Sequence, residues 1–75
     1  MQEKDYRLRW RLRELMAEKR IRNRELARRL GLHETSVARL KSSDTMPRLS
    51  GDNLEKIAIA IGCTPLDLLA WEPRT

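Results

Sequence analysis

The run NRELARRLGLHETSVARL, residues 23–40, carries polar side chains at spacings that suit a nucleic-acid duplex. On a helix each residue advances about 100°. With Val37 set at about 0°, Leu40 falls near 300° and both point inward. Thr35 then lies near 160°, Arg39 near 200°, Ser42 near 140° and Ala38 near 100°, all approximately, with Glu34 on the flank. Arg39 is the first candidate for base readout. A guanidinium donates two hydrogen bonds to guanine O6 and N7, worth about 1–3 kcal/mol of discrimination. Thr35 suits a thymine methyl or a base edge, and equally suits the polar first turn of a helix. Glu34 can accept from cytosine N4, or can be an acid favoured by the helix dipole. Ala38 contributes by being small, which lets a helix sit deep.

Around this face stand candidates for phosphate contact: Arg22, Asn23, Arg24, His33, Lys41, Ser42 and Arg48. Asn23 is read as the N-cap of the helix it opens, with that N-terminus aimed at a phosphate backbone. His33 can donate to a phosphate or simply close the turn before the next helix. It is not a metal ligand, because one Cys and one His supply no co-ligands.

These side chains need an angle between two helices to present them. Ala27 is small enough for close helix approach, and Gly31 permits the positive φ of a tight turn. Leu26, Leu32, Val37 and Leu40 are expected to fill the angle. This is the sequence form of a helix-turn-helix over residues 23–42.

The rest of the chain supplies the scaffold. Tyr6, Leu8, Trp10 and Leu12 alternate with Arg7, Arg9, Arg11 and Arg13 in a strand period, while Leu8, Leu12, Leu15 and Met16 also fit one helical face; a short strand over about 6–10 and then a helix over about 11–20 is the favoured reading. Leu68-Leu69-Ala70-Trp71-Glu72, stopped by Pro73, is the candidate partner strand. Such a ribbon would join the termini, bury Trp10 near Trp71 and have to pack on the helices. After a loop over 43–49, Ser50 or Gly51 opens a fourth helix with Leu54, Ile57, Ala58 and Ile61 inward and Gly62 closing it. Thr64-Pro65-Leu66-Asp67 reads as the start of a fifth: a Thr N-cap, Pro at N1 and an acid at N3.

Seventy-five residues allow one domain, so residues 1–75 are read as a single unit. Sixteen Lys and Arg against eleven Asp and Glu leave a formal charge of +5. Residues 1–48 hold fourteen basic and seven acidic groups, whereas residues 49–75 hold two and four. One positive half and one mildly negative half suggest a face aimed at a polyanion. No apolar run approaches about 18 residues, and the charged N-terminus lacks an apolar signal core, so a reducing cytoplasm is expected.

The chain resembles the phage-repressor helix-turn-helix family, the lambda-repressor-like, Cro-type or xenobiotic-response-element regulators. The resemblance runs from about Leu12 to Trp71. It rests on RLRELMAEKRIRNRELARRLGLHETSVARLKSS and then MPRLSGDNLEKIAIAIGCTPLDLL. It implies an all-α, five-helix domain, with room for a two-strand ribbon joining the termini. It also implies a third helix, about 34–42, in the major groove of double-stranded DNA. Glu34, Thr35 and Arg39 match the family's base-reading positions. The implied role is a sequence-specific transcriptional regulator at palindromic operators, and a homodimer is expected because one such domain covers a half-site. The chain departs from the family in having Ser42-Ser43 where Asn-Gly is common, and His33 where a small polar residue is common.

Other features keep two readings. The arginine comb Arg7, Arg9, Arg11 and Arg13 is preferred as the solvated side of an amphipathic strand over an accessory arm in a minor groove. Tyr6, Trp10 and Trp71 read as core or dimer surface rather than base-stacking platforms. The apolar run Leu66, Leu68, Leu69 and Trp71 is either core or a patch kept for a second subunit. It also suits the alternative of an antitoxin-like protein-interaction module. Cys63 reads as a small hydrophobe at a helix end. No cofactor is expected. No enzyme is expected either, since activated nucleophile, metal set, phosphate-cradling glycine loop and paired carboxylates are all lacking.

Overall fold

The computed structural model describes residues 5–74. Strand β1 (Tyr6–Trp10) is followed by helices α1 (Leu12–Glu18), α2 (Asn23–Leu30), α3 (Glu34–Ser42) and α4 (Gly51–Ile61). A 3-10 turn (Pro65–Leu68) then leads into strand β2 (Leu69–Pro73). The expected all-α, five-helix architecture is corrected to four α-helices and a two-stranded antiparallel sheet.

The fifth helix fails to extend for a local reason. Its start forms: the Thr64 backbone N–H and hydroxyl both donate to Asp67 Oδ2, at 2.9 and 3.0 Å. Only four residues wind before Leu69 becomes extended, with φ −120° and ψ 148°. So short a segment gains little from helix formation, which is cooperative with a costly nucleus. Pairing with β1 gives the same residues backbone partners instead.

The register of that pairing sets Leu8 opposite Trp71 and Trp10 opposite Leu69. β2 therefore begins one residue later than expected, because Leu68 is fully buried in the 3-10 turn. Trp10 is buried, but Trp71 is 62% exposed and stacks on Tyr6, ring centroids 5.7 Å apart. Of the two tryptophans, Trp10 is therefore inside the fold and Trp71 largely outside it. They lie on one face of the ribbon, and that face runs off the edge of the helices at Leu8 and Trp71.

Trp10, Leu12, Leu15 and Met16 meet Leu26, Ala27 and Val37 in one core, closed by Ile57, Ala58, Ile61 and Leu68. Each fully buried large side chain contributes about 1.5–3 kcal/mol. Leu32, expected in the angle between α2 and α3, is 46% exposed instead.

Three helices end on the same backbone pattern. Leu32 N–H donates to the Ala27 carbonyl at 2.8 Å and Cys63 N–H to Ala58 at 2.9 Å, with Gly31 and Gly62 left-handed between. α1 closes likewise, Ile21 N–H to Met16 at 2.8 Å, but its left-handed residue is Arg20, φ 56°. That stop ends α1 earlier than the expected residue 20.

Candidate nucleic-acid interface

α2 and α3 hold each other through Leu26, Ala27 and Val37, all buried. With Val37 wholly inside, the α3 side chains Glu34, Thr35, Ala38, Arg39 and Ser42 are exposed, while Leu40 is half-buried. Glu34, Thr35 and Arg39 therefore lie on the outer side of one helix. Thr35 and Ala38 line an open cleft with Arg22, Asn23 and Arg24 at the start of α2 and Arg28 in its last turn.

The cations of this region divide into paired and free. Arg24 Nε stands 3.4 Å from Glu34 Oε1, an exposed ion pair that bridges the two helices. Among the described residues Arg22, Arg28, Arg39, Lys41 and Arg48 make no ion pair. The arginine comb behaves differently. Arg7 and Arg9 bond Glu72, Arg9 and Arg11 bond Glu14, and Arg13 lies 3.2 Å from Asp44. Its charge is largely neutralised within the fold, so it is neither a free arm nor a merely solvated face. The unneutralised positive charge gathers instead around α2, α3 and the loop after α3, where it makes the field that a polyanion meets.

The remaining candidates occupy distinct positions. Asn23 is the first residue of α2 rather than its cap. Arg22 holds the cap position in an extended conformation, without a capping side-chain bond. The Asn23 Oδ1 atom is shut off from solvent and has no hydrogen-bond partner among the described residues. His33 is the N-cap residue of α3, and its Nδ1 lies 3.4 Å from Thr35 Oγ1. The Ser42 hydroxyl donates to the Arg39 carbonyl at 3.0 Å, so its proton is engaged within α3. Lys41 is half-buried, and Arg48 is exposed in the loop before α4.

Arg28 was not among the sequence candidates. It stands one helical turn from Arg24, and that i, i+4 spacing is the signal that would have found it.

α3 is anchored at its far end. Trp10 Nε1 donates to the Leu40 carbonyl at 2.8 Å, and the Trp10 backbone N–H donates to Asp44 at 2.9 Å. The last α3 carbonyls have no intrahelical partner. The buried indole supplies one of them, so the pitch of α3 against the core is set by a residue of β1.

No helix among the described residues is long and apolar enough to cross a membrane. A family model described as Cro/C1-type HTH DNA-binding domain matches residues 11–74. No curated protein and no solved structure is significantly similar to the chain.

Proposed function

The chain belongs to the Cro/C1-type helix-turn-helix DNA-binding family, and from that premise we propose that it is a sequence-specific transcriptional regulator whose α3 enters the major groove of double-stranded DNA. The observation that carries this reading is the exposure of Glu34, Thr35 and Arg39 along α3 while Val37 is fully buried beneath them. Arg39 reads guanine, Thr35 a thymine methyl or base edge, and Glu34 contributes at the flank, where Arg24 holds it. Arg22, Asn23, Arg24, His33, Lys41 and Arg48 meet the phosphates and set the register, and Ser42 joins them by turning its hydroxyl from the Arg39 carbonyl. Each phosphate neutralised releases counterions, so affinity falls steeply with salt.

One such domain covers a half-site, so the regulator works as a homodimer on a palindromic operator. The ribbon face around Tyr6 and Trp71 suits the second subunit: Trp71, stacked on a half-buried Tyr6, and the neighbouring Leu8 are exposed apolar surface on a small domain. The C-terminal apolar run divides accordingly. Leu68 belongs to the core, and Leu66 and Trp71 remain outside. That exposure also favours a second reading, a protein-interaction module of antitoxin type.

Selection of bound sequences from a random duplex pool tests the proposal. The expected result is a palindromic consensus whose half-sites lie about 10 base pairs apart or a multiple of it. No enrichment at low ionic strength, together with stoichiometric capture of a protein partner, favours the second reading instead.

A further inference from the structure

Beside α3, on the side away from the α2 cleft, lies an apolar groove of about 490 Å³. Buried Ile57 and half-buried Leu30, Leu40, Pro47 and Leu49 line it, and exposed Leu32 completes its apolar lining. Its charged lining residues are Arg39 from α3 and Lys56 from α4, and neither makes an ion pair among the described residues. No acidic side chain among the described residues lines it. The exposure of Leu32 has the same explanation: it leaves the α2–α3 angle and becomes a wall of this groove.

We propose that this groove binds a small amphipathic carboxylate, its apolar tail on Leu30, Leu49 and Ile57 and its head between Arg39 and Lys56, and that binding releases the protein from its specific DNA site. The volume is that of small-molecule sites, which are mostly apolar with a few placed polar groups. A guanidinium fork matches a carboxylate in two parallel bonds, and an ammonium adds a point charge. Two cations with no acid opposite them select an anionic head, and six apolar lining residues select a tail.

The coupling follows from Arg39, and this part rests on its reading of a base. One guanidinium cannot hold a ligand head and a guanine edge at once. The ligand therefore removes base discrimination while leaving the phosphate contacts of α2 in place. Specific affinity falls and non-specific affinity does not. By linkage the specific duplex weakens ligand binding by the same factor.

The test uses the full chain with octanoate as probe and 1-octanol as its uncharged match. Without DNA, octanoate is expected to shift the methyl resonances of Leu30, Leu49 and Ile57 saturably. Lys56→Ala is expected to weaken that binding about fivefold to tenfold, the loss of one charge-assisted bond. With the selected operator, octanoate is expected to lower specific affinity at least about tenfold and leave a random duplex unaffected, and Lys56→Ala to blunt the effect without altering affinity for DNA alone. Absence of saturable methyl shifts overturns the site, whatever becomes of the DNA reading, since that measurement contains no DNA. Saturable shifts with unchanged operator affinity overturn the coupling. Octanol acting as strongly as octanoate overturns recognition of the head. Concentration-dependent shifts of the same methyls without ligand, or tighter binding of an acidic apolar peptide, give the groove to a second copy or a protein partner and overturn the proposal.

Discussion

The indole of Trp10 and the backbone carbonyl of Leu40 meet at 2.8 Å, which ties the first strand to the last turn of α3. Trp10 is buried, but the bond is only part-buried and Leu40 is half-buried, so water can replace the indole in part. Trp10→Phe keeps an aromatic ring and removes the donor. The expected cost is about 0.5–1.5 kcal/mol, the net contribution of a typical intramolecular hydrogen bond. Thermal denaturation measures it, and amide exchange should accelerate in the last turn of α3. Unchanged stability and exchange would show that the bond does not anchor the helix.

Arg39→Ala and Lys41→Ala separate base reading from phosphate contact. Removal of Arg39 is expected to relax preference at one operator position at a cost of about 1–3 kcal/mol on the best site. Removal of Lys41 is expected to weaken all sequences alike and reduce the salt slope by about one. Titrations on operator and scrambled duplexes at several salt concentrations check both. If the two variants weaken every sequence equally, Arg39 reads no base.

Glu72 sets an acid limit on the ribbon. Partial burial pushes its carboxyl up, but hydrogen bonds from Arg9 and Arg7 outweigh that and hold it below the ordinary glutamate range. A carboxylate whose folded pKa is depressed stabilises the fold above its unfolded value, near about 4.3, and loses that contribution as pH falls through the folded value. Glu72→Gln is therefore expected to lower the melting temperature at pH 7 and to narrow its gap from the parent protein in acid. A gap that stays constant down to pH 2.5 would assign the loss to something other than the charge.

Arg20 occupies the left-handed position that glycine fills at the ends of α2 and α4. A side chain there crowds its own backbone, at about 1–2 kcal/mol. Glycine relieves that and adds freedom to the unfolded chain, which offsets part of the gain. Arg20→Gly is expected to stabilise by about 0.5–1 kcal/mol. Chemical denaturation reads the sign, and a net loss would mean that the Arg20 side chain makes up for its backbone.

The same residue marks where the sequence was hard to read. Gly31 and Gly62 announce the ends of α2 and α4, but nothing in the type of Arg20 announces the end of α1. β1 was legible from its alternation, and α4 from Ser50, whose hydroxyl accepts from Asn53 N–H at 3.1 Å. The fifth helix was misjudged because a complete N-terminal cap says nothing of how many residues follow before another strand claims them. Part of the pairing of the comb was hidden because Asp44 and Glu72 are distant in sequence, although Glu14, the partner of Arg9 and Arg11, is only three to five residues away. At the candidate interface, the outward set on α3 follows from helical geometry once Val37 is taken as buried. The groove beside Arg39 was not legible, because its walls come from four separate segments and Leu32 resembles an ordinary core leucine.

The β1–β2 ribbon also governs the order in which the molecule matures. Arg7 and Glu72, which clasp it, are 65 positions apart, whereas α2 and α3 are neighbours in sequence. Contacts of long separation form late, because a large loop must close before they yield anything. A chain growing from its N-terminus can therefore assemble the angle between α2 and α3 early. Trp10 finds its strand partner Leu69 only after α1 to α4 have been made. Until then Trp10, which donates to the Leu40 carbonyl at the end of α3, lacks its strand partner.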